Sequence, residues 1–343
     1  MARVYFSPIT AGMSQSEISD LAAFAFKKLL EDEGISLPKE LPIKVHFGEE
    51  GNETYVKPEL YDGIIEFLKN SKVETFYMET NVLYRGQRTT REKHVDLAEK
   101  HGFTQIPIRI ADGEHGEASS LVSINGNHFK ECKIATGFAE AEMVLVTSHF
   151  KGHILAKFGG ALKQLGMGFA ARGGKLDMHA KSKPLIDPIK CKKCMKCMEK
   201  CPVDAITIGN LSSKINRKIC IGCATCIAVC PYGAVKINWA STTGKSFREK
   251  LMEYALAAQK GKDNIYLNYA INITAQCDCM GKVMKPKYPD LGIIASIDPV
   301  AVEKATLDLL DESIGKKSFG GREQLEYASK IGLGSPEYEL VRL

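Results

Sequence analysis

The sequence predicts an α/β domain built on a central sheet, interrupted by a small α+β module. Short β-rich runs alternate with amphipathic helical segments over residues 1–150, and the same alternation resumes after residue 244. Eight of the eleven cysteines are concentrated between Cys191 and Cys230, which marks the module. The 343 residues are 44% hydrophobic and 25% charged, an ordinary soluble composition with enough chain for two domains.

The amino-terminal part predicts six strands and three helices. The expected strands are residues 4–6, 42–47, 74–78, 106–110, 121–124 and 143–147. A first helix is expected to start at a Ser16 cap and to end at Gly34. The second helix opens at Pro58 and runs to residue 68, and the third covers residues 90–100. Residues 143–147 form a continuous apolar run, which is typical of a strand covered on both faces.

A glycine-rich segment follows at residues 157–168 and 172–175. It matches neither the G-x-x-x-x-G-K-[ST] phosphate loop nor the G-x-G-x-x-G dinucleotide loop. Its glycines would let a ligand approach the backbone amides, or let a helix pack close to the sheet. The second interpretation is favoured.

The carboxyl-terminal part returns to α/β patterning. Expected elements are a helix over residues 246–259, strands over residues 265–273 and 291–296, and a helix from Asp298-Pro299 to about residue 310. Residues 181–189 lead into the module and residues 239–244 lead out of it. The predicted organisation is a discontinuous α/β domain, residues 1–183 and 241–343, that hosts a module over residues 184–240.

The module contains two copies of one cysteine pattern, offset by 29 residues. The first copy is Cys191-x-x-Cys194-x-x-Cys197-x-x-x-Cys201-Pro202, and the second is Cys220-x-x-Cys223-x-x-Cys226-x-x-x-Cys230-Pro231. Both match the bacterial ferredoxin run whose thiolates hold [4Fe–4S] clusters. Zinc sites usually use two separated pairs of ligands, and a disulfide framework needs an exported chain, so two clusters are the favoured interpretation.

The fourth cysteine of each run is expected to bind the other run's cluster, because a helix carries it away from the first three. Cluster 1 would use Cys191, Cys194, Cys197 and Cys230, and cluster 2 would use Cys220, Cys223, Cys226 and Cys201. Because each run would bind both clusters, the two halves should form one unit whose folding depends on its metal.

Lysines surround the first run. Residues 184–240 carry nine Lys/Arg against three Asp/Glu, within a chain of formal charge +5. These cations would offset the negative charge of the clusters, or form a docking face for an acidic redox partner. Nucleic acid is the least favoured of the three interpretations, since no aromatic residues interleave the lysines.

Several further motifs resemble one family. They are residues 81–88 followed by His94, residues 148–153 with the glycine-rich segment, Cys277-Asp278-Cys279, and residues 296–301. Together with the cysteine runs they resemble the iron–sulfur proteins catalogued as domain of unknown function 362. The resemblance spans most of the chain and implies cluster binding and an α/β host domain, but no particular reaction.

A second metal or substrate site is expected near Cys277 and Cys279. An extended backbone would point both thiols to one face. His149 closes a predicted strand, and His153 lies four residues on. Two thiols near two histidines suit a soft metal. The alternative is that both cysteines are small buried residues and His149 caps a helix. Cys132 is expected in the core.

Arg85, Arg88, Arg91 and His94 form another candidate constellation. Guanidinium groups bind carboxylates and phosphates, so this block could hold a small anionic substrate. The alternative is a solvated helix start.

These observations predict a cytoplasmic iron–sulfur protein with two [4Fe–4S] clusters, either an electron-transfer protein or an oxidoreductase. A cysteine-rich chain without a signal-peptide pattern or a membrane-spanning apolar run fits a reducing cytoplasm. Two other hypotheses stay open: a non-redox metal enzyme with structural clusters, and a partner-docking module without turnover.

Overall fold

The computed structural model describes residues 1–180, 183–238 and 243–343. Parts of the expected linkers, residues 181–182 and 239–242, lie outside the described residues. The strands are β1 (Ala2–Pro8), β2 (Glu40–Lys44), β3 (Glu74–Glu79), β4 (Ile108–Ile110), β5 (Ser119–Ser123), β6 (Glu131–Ala135), β7 (Leu145–His149), β8 (Lys151–His153), β9 (Lys157–Gly159), β10 (Leu185–Ile186), β11 (Ile206–Ile208), β12 (Ser213–Ile215), β13 (Val235–Lys236), β14 (Ile265–Ala270), β15 (Gly292–Ser296) and β16 (Tyr338–Arg342). The helices are α1 (Gln15–Glu33), α2 (Asp62–Asn70), α3 (Arg91–Lys100), α4 (Thr136–Glu140), α5 (Ala161–Gly168), α6 (Arg172–His179), α7 (Lys196–Glu199), α8 (Thr225–Ala228), α9 (Gly244–Gln259), α10 (Pro299–Ile314) and α11 (Glu323–Lys330), with a 3-10 helix at Pro58–Tyr61.

An eight-stranded, mostly parallel sheet forms the centre of the fold, in the order β16-β1-β15-β14-β7-β2-β3-β4. Strand β15 pairs antiparallel with both β1 and β14, and the other pairings are parallel. The mixed α/β class expected from the sequence is therefore correct. Strands β2, β7 and β14 are neighbours in the sheet although they are far apart in the chain.

The apolar strand expected at residues 143–147 is β7, and all five of its residues are buried. Neighbouring residues of β7 enter different apolar clusters on the two faces of the sheet, Leu145 with α1 and α2 and Val146 with α5, α9 and α10. This alternation follows from the pleat of a strand. Helices therefore cover both faces of the sheet.

Helix ends follow local hydrogen bonds, with one difference from expectation. Helix α1 is capped by Ser14 rather than Ser16, because Ser14 and Glu17 form a reciprocal capping box. Gly34 ends this helix at φ 64°, as expected. Asp298 caps α10 by accepting from the Val300 and Ala301 amides.

The glycine-rich segment forms β9, α5 and the first half of α6. A Cβ on Gly166 would lie 2.4 Å from the carbonyl oxygen of Leu251 on α9. At this position the glycine permits close packing between helices, in line with the favoured interpretation.

The cysteine-rich segment has an internally repeated backbone. Helices α7 and α8 occupy equivalent positions at the 29-residue offset, and two small sheets pair β10 with β13 and β11 with β12. Left-handed backbone conformations recur at the same offset. The equivalent pairs are Lys193 and Gly222, Met195 and Ala224, and Asp204 and Gly233. The duplication seen in the sequence is thus also a duplication of local structure.

Among the described residues, no helix combines the length and the apolar character required to cross a bilayer.

Candidate functional site

Two cavities in the module are each lined by four cysteines. One has an empty volume of about 320 Å³ and is lined by Cys191, Cys194, Cys197 and Cys230, together with Ile186, Ser213 and Val235. The other has an empty volume of about 350 Å³ and is lined by Cys201, Cys220, Cys223 and Cys226, together with Ala205, Ile206 and Ala224. Each cavity combines three cysteines of one run with the fourth of the other. Ligation by these thiols stays a prediction.

Backbone amides point at the sulfurs that line these cavities. The Ala205 amide donates to Cys201 Sγ and the Ala234 amide to Cys230 Sγ, both at 3.3 Å. The Ser213 amide donates to Cys191 Sγ at 3.5 Å. Such bonds stabilise thiolates and tune the potential of a bound cluster, so the residues present fit an iron–sulfur group.

The module packs directly on the host domain. A Cβ on Gly173 would lie 3.0 Å from the Gly222 carbonyl oxygen and 3.2 Å from Cys223 Cα, so the first turn of α6 touches the second cysteine loop. Leu83 and Leu176 of the host share one apolar cluster with module residues Ala224, Ile227 and Val235. Lys133 Nζ donates to the Ile221 carbonyl at 3.1 Å.

A third cavity, called here the host cavity, lies beside this contact at the carboxyl ends of β2 and β3. Its empty volume is about 760 Å³, and it opens to solvent. It is lined by His46, Glu79, Thr80, Val82, Leu83, Tyr84, Arg88, His153, Lys163, Gln164, Met167, Gly168, Lys175, His179 and Cys279. Ligands of α/β proteins usually bind at this edge of the sheet.

Cys277 and Cys279 lie together at the wall of the host cavity. Their Sγ atoms are 2.9 Å apart, and the Cys279 amide donates to Cys277 Sγ at 3.5 Å. Their shared hydrogen bond raises the pKa of Cys277 and lowers the pKa of Cys279. Lys163 Nζ lies 3.7 Å from Cys277 Sγ, and His46 Nε2 lies 3.6 Å from Cys279 Sγ.

His149 does not join these thiols, which corrects the expectation that it ligates a metal with them. Its Nδ1 lies 2.9 Å from Asp278 Oδ2, and its Nε2 lies 2.8 Å from the Ile271 carbonyl oxygen. Asp278 is fully buried and also pairs with Lys151 Nζ at 2.6 Å. Although burial alone would raise the pKa of Asp278, His149 and Lys151 lower it. The carboxylate therefore faces away from the thiols and anchors the loop that carries them.

His153 lines the host cavity, as Cys279 does. Its Nδ1 accepts from the Ala156 amide at 3.0 Å. Burial, with Lys163 nearby, lowers the pKa of His153 to about 3, and burial lowers the pKa of His179 to about 4. Both rings are therefore neutral near pH 7.

The arginine block does not converge on one ligand. Arg88 reaches the host cavity, where its Nε donates to Glu49 at 3.1 Å and its Nη2 to the Tyr84 hydroxyl at 2.6 Å. Arg85 donates to the Pro231 carbonyl of the module, and Arg91 forms an exposed ion pair with Glu114. Arg85 and Arg91 are both exposed, so the solvated alternative describes these two arginines.

His94 is fully buried against Phe47 rather than facing a substrate. Within the described parts of the chain, neither of its ring nitrogens has a hydrogen-bond partner. Burial lowers the pKa of His94 well below its usual value. Cys132 is fully buried in the core, as expected.

The polar wall of the host cavity was largely missed by sequence reasoning. Lys44 and Glu79 pair at 2.8 Å, and Lys44 holds the pKa of Glu79 at about 2 against the effect of burial. Lys175 donates to the Thr80 hydroxyl at 2.6 Å, and burial lowers its pKa to about 8. His46 could have been noticed, because it ends a predicted strand. Lys163 and Lys175 gave no local signal.

Residues 42–308 match the family model described as domain of unknown function (DUF362). Shorter segments resemble ferredoxin-type proteins. One of 61 residues is 38% identical to hydrogenase-4 component A of Escherichia coli, covering 17% of this chain and 30% of that protein. Another of 51 residues is 41% identical to a ferredoxin of Alicyclobacillus acidocaldarius, covering 15% of this chain and 65% of that protein. The chain thus spans less than two thirds of either relative. A crystal structure from Thermotoga maritima aligns with 90% of this chain and 60% of its own at 10% identity, with a TM-score of 0.46.

Proposed function

Since this chain belongs to the family described as domain of unknown function 362, whose model matches a range of the chain that includes both cysteine runs, we propose that it is an iron–sulfur electron-transfer protein whose two [4Fe–4S] clusters exchange electrons with a molecule in the host cavity. The observation that carries the proposal is the pair of four-cysteine cavities in a module that packs on the host beside the host cavity. The module is assigned to residues 184–240 and the host to residues 1–183 and 241–343.

Cluster 1 is assigned to Cys191, Cys194, Cys197 and Cys230, and cluster 2 to Cys220, Cys223, Cys226 and Cys201. When bound, each cluster would accept or donate one electron at a time. The chain contributes thiolates, amide donors to sulfur, and apolar side chains that exclude water from each site. A centre of this kind is compatible with a reducing compartment, and we assign the protein to the cytoplasm.

Helix α6 and Leu83 connect the loop of Cys223 with the host cavity. The first turn of α6 touches the loop of Cys223, and Lys175 and His179 of the same helix line the cavity. The rise of an α-helix places the two ends of α6 roughly 10 Å apart. Leu83 belongs both to the cavity wall and to the apolar cluster that includes Ile227. Electron transfer slows steeply with distance, so this contact favours exchange between cluster 2 and a molecule in the cavity.

The host cavity suits an oxidoreductase acting on a small anionic substrate. Lys163, Lys175 and Arg88 bring positive charge to its wall. Lys175, whose pKa is about 8, can hold or release a proton near neutral pH, as a reduction or oxidation coupled to proton transfer requires. Arg88 is already paired with Glu49, so substrate attraction is assigned mainly to the two lysines.

The module surface suits an acidic redox partner. Ile189 and Leu211 are 88% and 82% exposed, which leaves apolar side chains available beside the lysines of the first run. Exposed lysines at 190, 192 and 196 supply the complementary charge. Docking here would bring the partner close to cluster 1, leaving cluster 2 against the host.

Anaerobic reconstitution tests the proposal. The expected product is brown and holds about eight iron and eight acid-labile sulfide atoms per chain, as two [4Fe–4S] sites require. Cys191→Ser and Cys223→Ser should each perturb one of two reducible centres seen by electron paramagnetic resonance, whereas Cys132→Ser, in the core, should leave both. A colourless reconstituted protein without labile sulfide would rule the proposal out.

A further inference from the structure

The residues His46, Cys277 and Cys279 bring three metal-ligating atoms together outside the module. One imidazole nitrogen and two Sγ atoms all lie within 4.8 Å of one another. His46 follows β2, and the two cysteines follow β14, so the site assembles from segments more than 200 residues apart. Cys277 is buried, whereas His46 and Cys279 are half-buried and line the host cavity.

We infer that His46, Cys277 and Cys279 bind one thiophilic divalent ion, of the Zn²⁺ class, whose remaining coordination position faces the host cavity. The inference does not depend on the [4Fe–4S] clusters, because it uses none of their eight cysteines. Two thiolates, one imidazole and one open position form a ligand set that zinc uses in catalytic sites.

The distances fit this ligand set with a small adjustment. Bonds of about 2.3 Å to sulfur and 2.0–2.1 Å to nitrogen at tetrahedral angles separate sulfur from nitrogen by roughly 3.6 Å and the two sulfurs by roughly 3.8 Å. The distance from Cys279 Sγ to His46 Nε2 is 3.6 Å. The two Sγ atoms, at 2.9 Å, must move apart by about 0.9 Å.

The surroundings of the thiols also suit an ion. Asp278 is held by His149 and Lys151, which anchors the loop that carries both cysteines. Lys163 lies 3.7 Å from Cys277 Sγ and stabilises negative charge on sulfur.

Binding at His46 Nε2 displaces two contacts. Arg88 Nη1 lies 3.0 Å from this nitrogen, and the Gly48 amide lies 3.1 Å from Nδ1. Arg88 keeps its contacts with Glu49 and Tyr84 when the ion replaces the first. The protonated Nδ1 that accompanies metal binding then turns away from the Gly48 amide. The two metal–thiolate bonds compensate for the loss of these two hydrogen-bond contacts.

The open position gives the ion a chemical use. Lys163, Tyr84 and His153 line the same cavity and can contact a molecule bound to the ion. A bound ion would act there as a Lewis acid on an oxygen or sulfur atom of a ligand.

Zinc titration of the intact iron–sulfur protein tests this inference. The protein is purified anaerobically, freed of loosely bound metal with a chelator, titrated with Zn²⁺ and studied by X-ray absorption at the zinc edge. The expected result is one zinc per chain with two sulfur neighbours at about 2.3 Å and nitrogen or oxygen neighbours at about 2.0–2.1 Å. Iron content should stay constant during the titration.

Three variants separate this site from the clusters. Loss of a residue that only supports a metal ligand costs about 10–100-fold in affinity, and loss of two ligands should cost more. Cys277→Ser/Cys279→Ser should therefore weaken zinc binding by more than about 100-fold without lowering iron content. His46→Gln, which keeps both thiols, should weaken binding and remove one nitrogen neighbour. Cys132→Ala, which removes a distant thiol, should bind zinc as wild type does.

Three outcomes would overturn the inference. They are zinc affinity unchanged in the double cysteine variant, zinc uptake matched by iron loss, and a disulfide between Cys277 and Cys279 whose reduction does not allow zinc uptake. The clusters are judged separately, by iron and acid-labile sulfide content before zinc is added.

Discussion

His149 Nδ1 and Asp278 Oδ2 lie 2.9 Å apart at the carboxyl end of β7, and this contact joins the sheet to the loop between Cys277 and Cys279. Lys151 adds a second charged contact to the same carboxylate at 2.6 Å. The aspartate is therefore a positioning residue for the two thiols, and its neighbouring histidine is not free to ligate a metal.

Asp278→Asn should destabilise the protein and disorder the thiol pair. The substitution leaves Lys151 buried without its charge partner, and loss of one partner of a buried ion pair costs about 3 kcal/mol or more. The midpoint of anaerobic guanidinium unfolding should fall, and zinc affinity should fall with it. Glu114→Gln breaks the exposed pair with Arg91 and should cost under about 1 kcal/mol. Equal effects of the two variants would contradict the anchoring role.

Gly173→Ala should disturb cluster 2. The new Cβ would lie 3.0 Å from the Gly222 carbonyl oxygen and 3.2 Å from Cys223 Cα, and these backbone atoms must shift. Alanine is intrinsically better in a helix than glycine by about 1 kcal/mol, so helix propensity cannot explain a harmful effect. The paramagnetic signal of one reduced cluster should change, and iron should be lost faster in air. Gly320→Ala, whose Cβ meets nothing within 4 Å, is the matched control. Identical signals and iron retention in the two variants would refute the contact.

Glu303→Gln should make the free energy of unfolding fall less steeply as the pH rises. Glu303 is fully buried against the start of α5, and burial raises its pKa from 4.5 to about 7. Between these values the folded state holds a proton that the unfolded state releases, so the free energy of unfolding falls with rising pH. The raised pKa of Glu303 should lower the free energy of unfolding by roughly 3 kcal/mol across this window.

The measurement is the free energy of unfolding between pH 5.5 and 7.5 for wild type and variant. Glutamine does not titrate, so the difference in stability between the variant and wild type should grow in favour of the variant as the pH rises. Glu326→Gln, at an exposed position, serves as the control. A difference that stays constant across this range would show that Glu303 does not retain its proton.

Removal of both clusters should unfold the module but not the sheet. The module has only a small apolar cluster, shared with the host through Leu83 and Leu176, whereas β7 and β14 are fully buried. Hydrogen exchange measured by mass spectrometry should show lost amide protection over residues 185–238 after iron removal, with β7 and β14 still protected. Retained protection of the module amides would show that the module folds without metal.

Replacing Lys190, Lys192 and Lys196 together by Glu should slow reduction by an anionic donor. Positive charge near a redox centre raises the encounter rate with anions, and salt weakens the effect. The rate of cluster reduction by dithionite should fall, and its salt dependence should weaken or reverse. A control variant replaces three exposed lysines of the host, at positions 39, 93 and 316, by Glu. It changes the net charge of the protein by the same amount. An equal fall in that variant would assign the effect to net charge rather than to the module face.

The cysteine module could be predicted in detail because its signal is local. The cysteine spacing within each run and the 29-residue offset predict two cluster sites. Equivalent left-handed residues, such as Lys193 and Gly222, recur at the same offset. The α/β class, the buried strand β7 and the caps at Gly34 and Asp298 were likewise accessible, since each depends on a few neighbouring residues.

The host cavity was decided by tertiary structure. Sequence reasoning paired Cys277 and Cys279 with His149 because thiols and imidazoles together suit a soft metal and His149 closes a predicted strand, but strand order in a sheet is not encoded by either strand alone. The order β14-β7-β2 brings His46 beside Cys279, whereas His149 is hydrogen-bonded to Asp278. Lys163 reaches the thiols only because α5 packs over the sheet, and that packing depends on residues distant in the chain. Local spacing thus determined the proposed cluster ligands, whereas long-range packing decided which side chains surround the second pair of thiols.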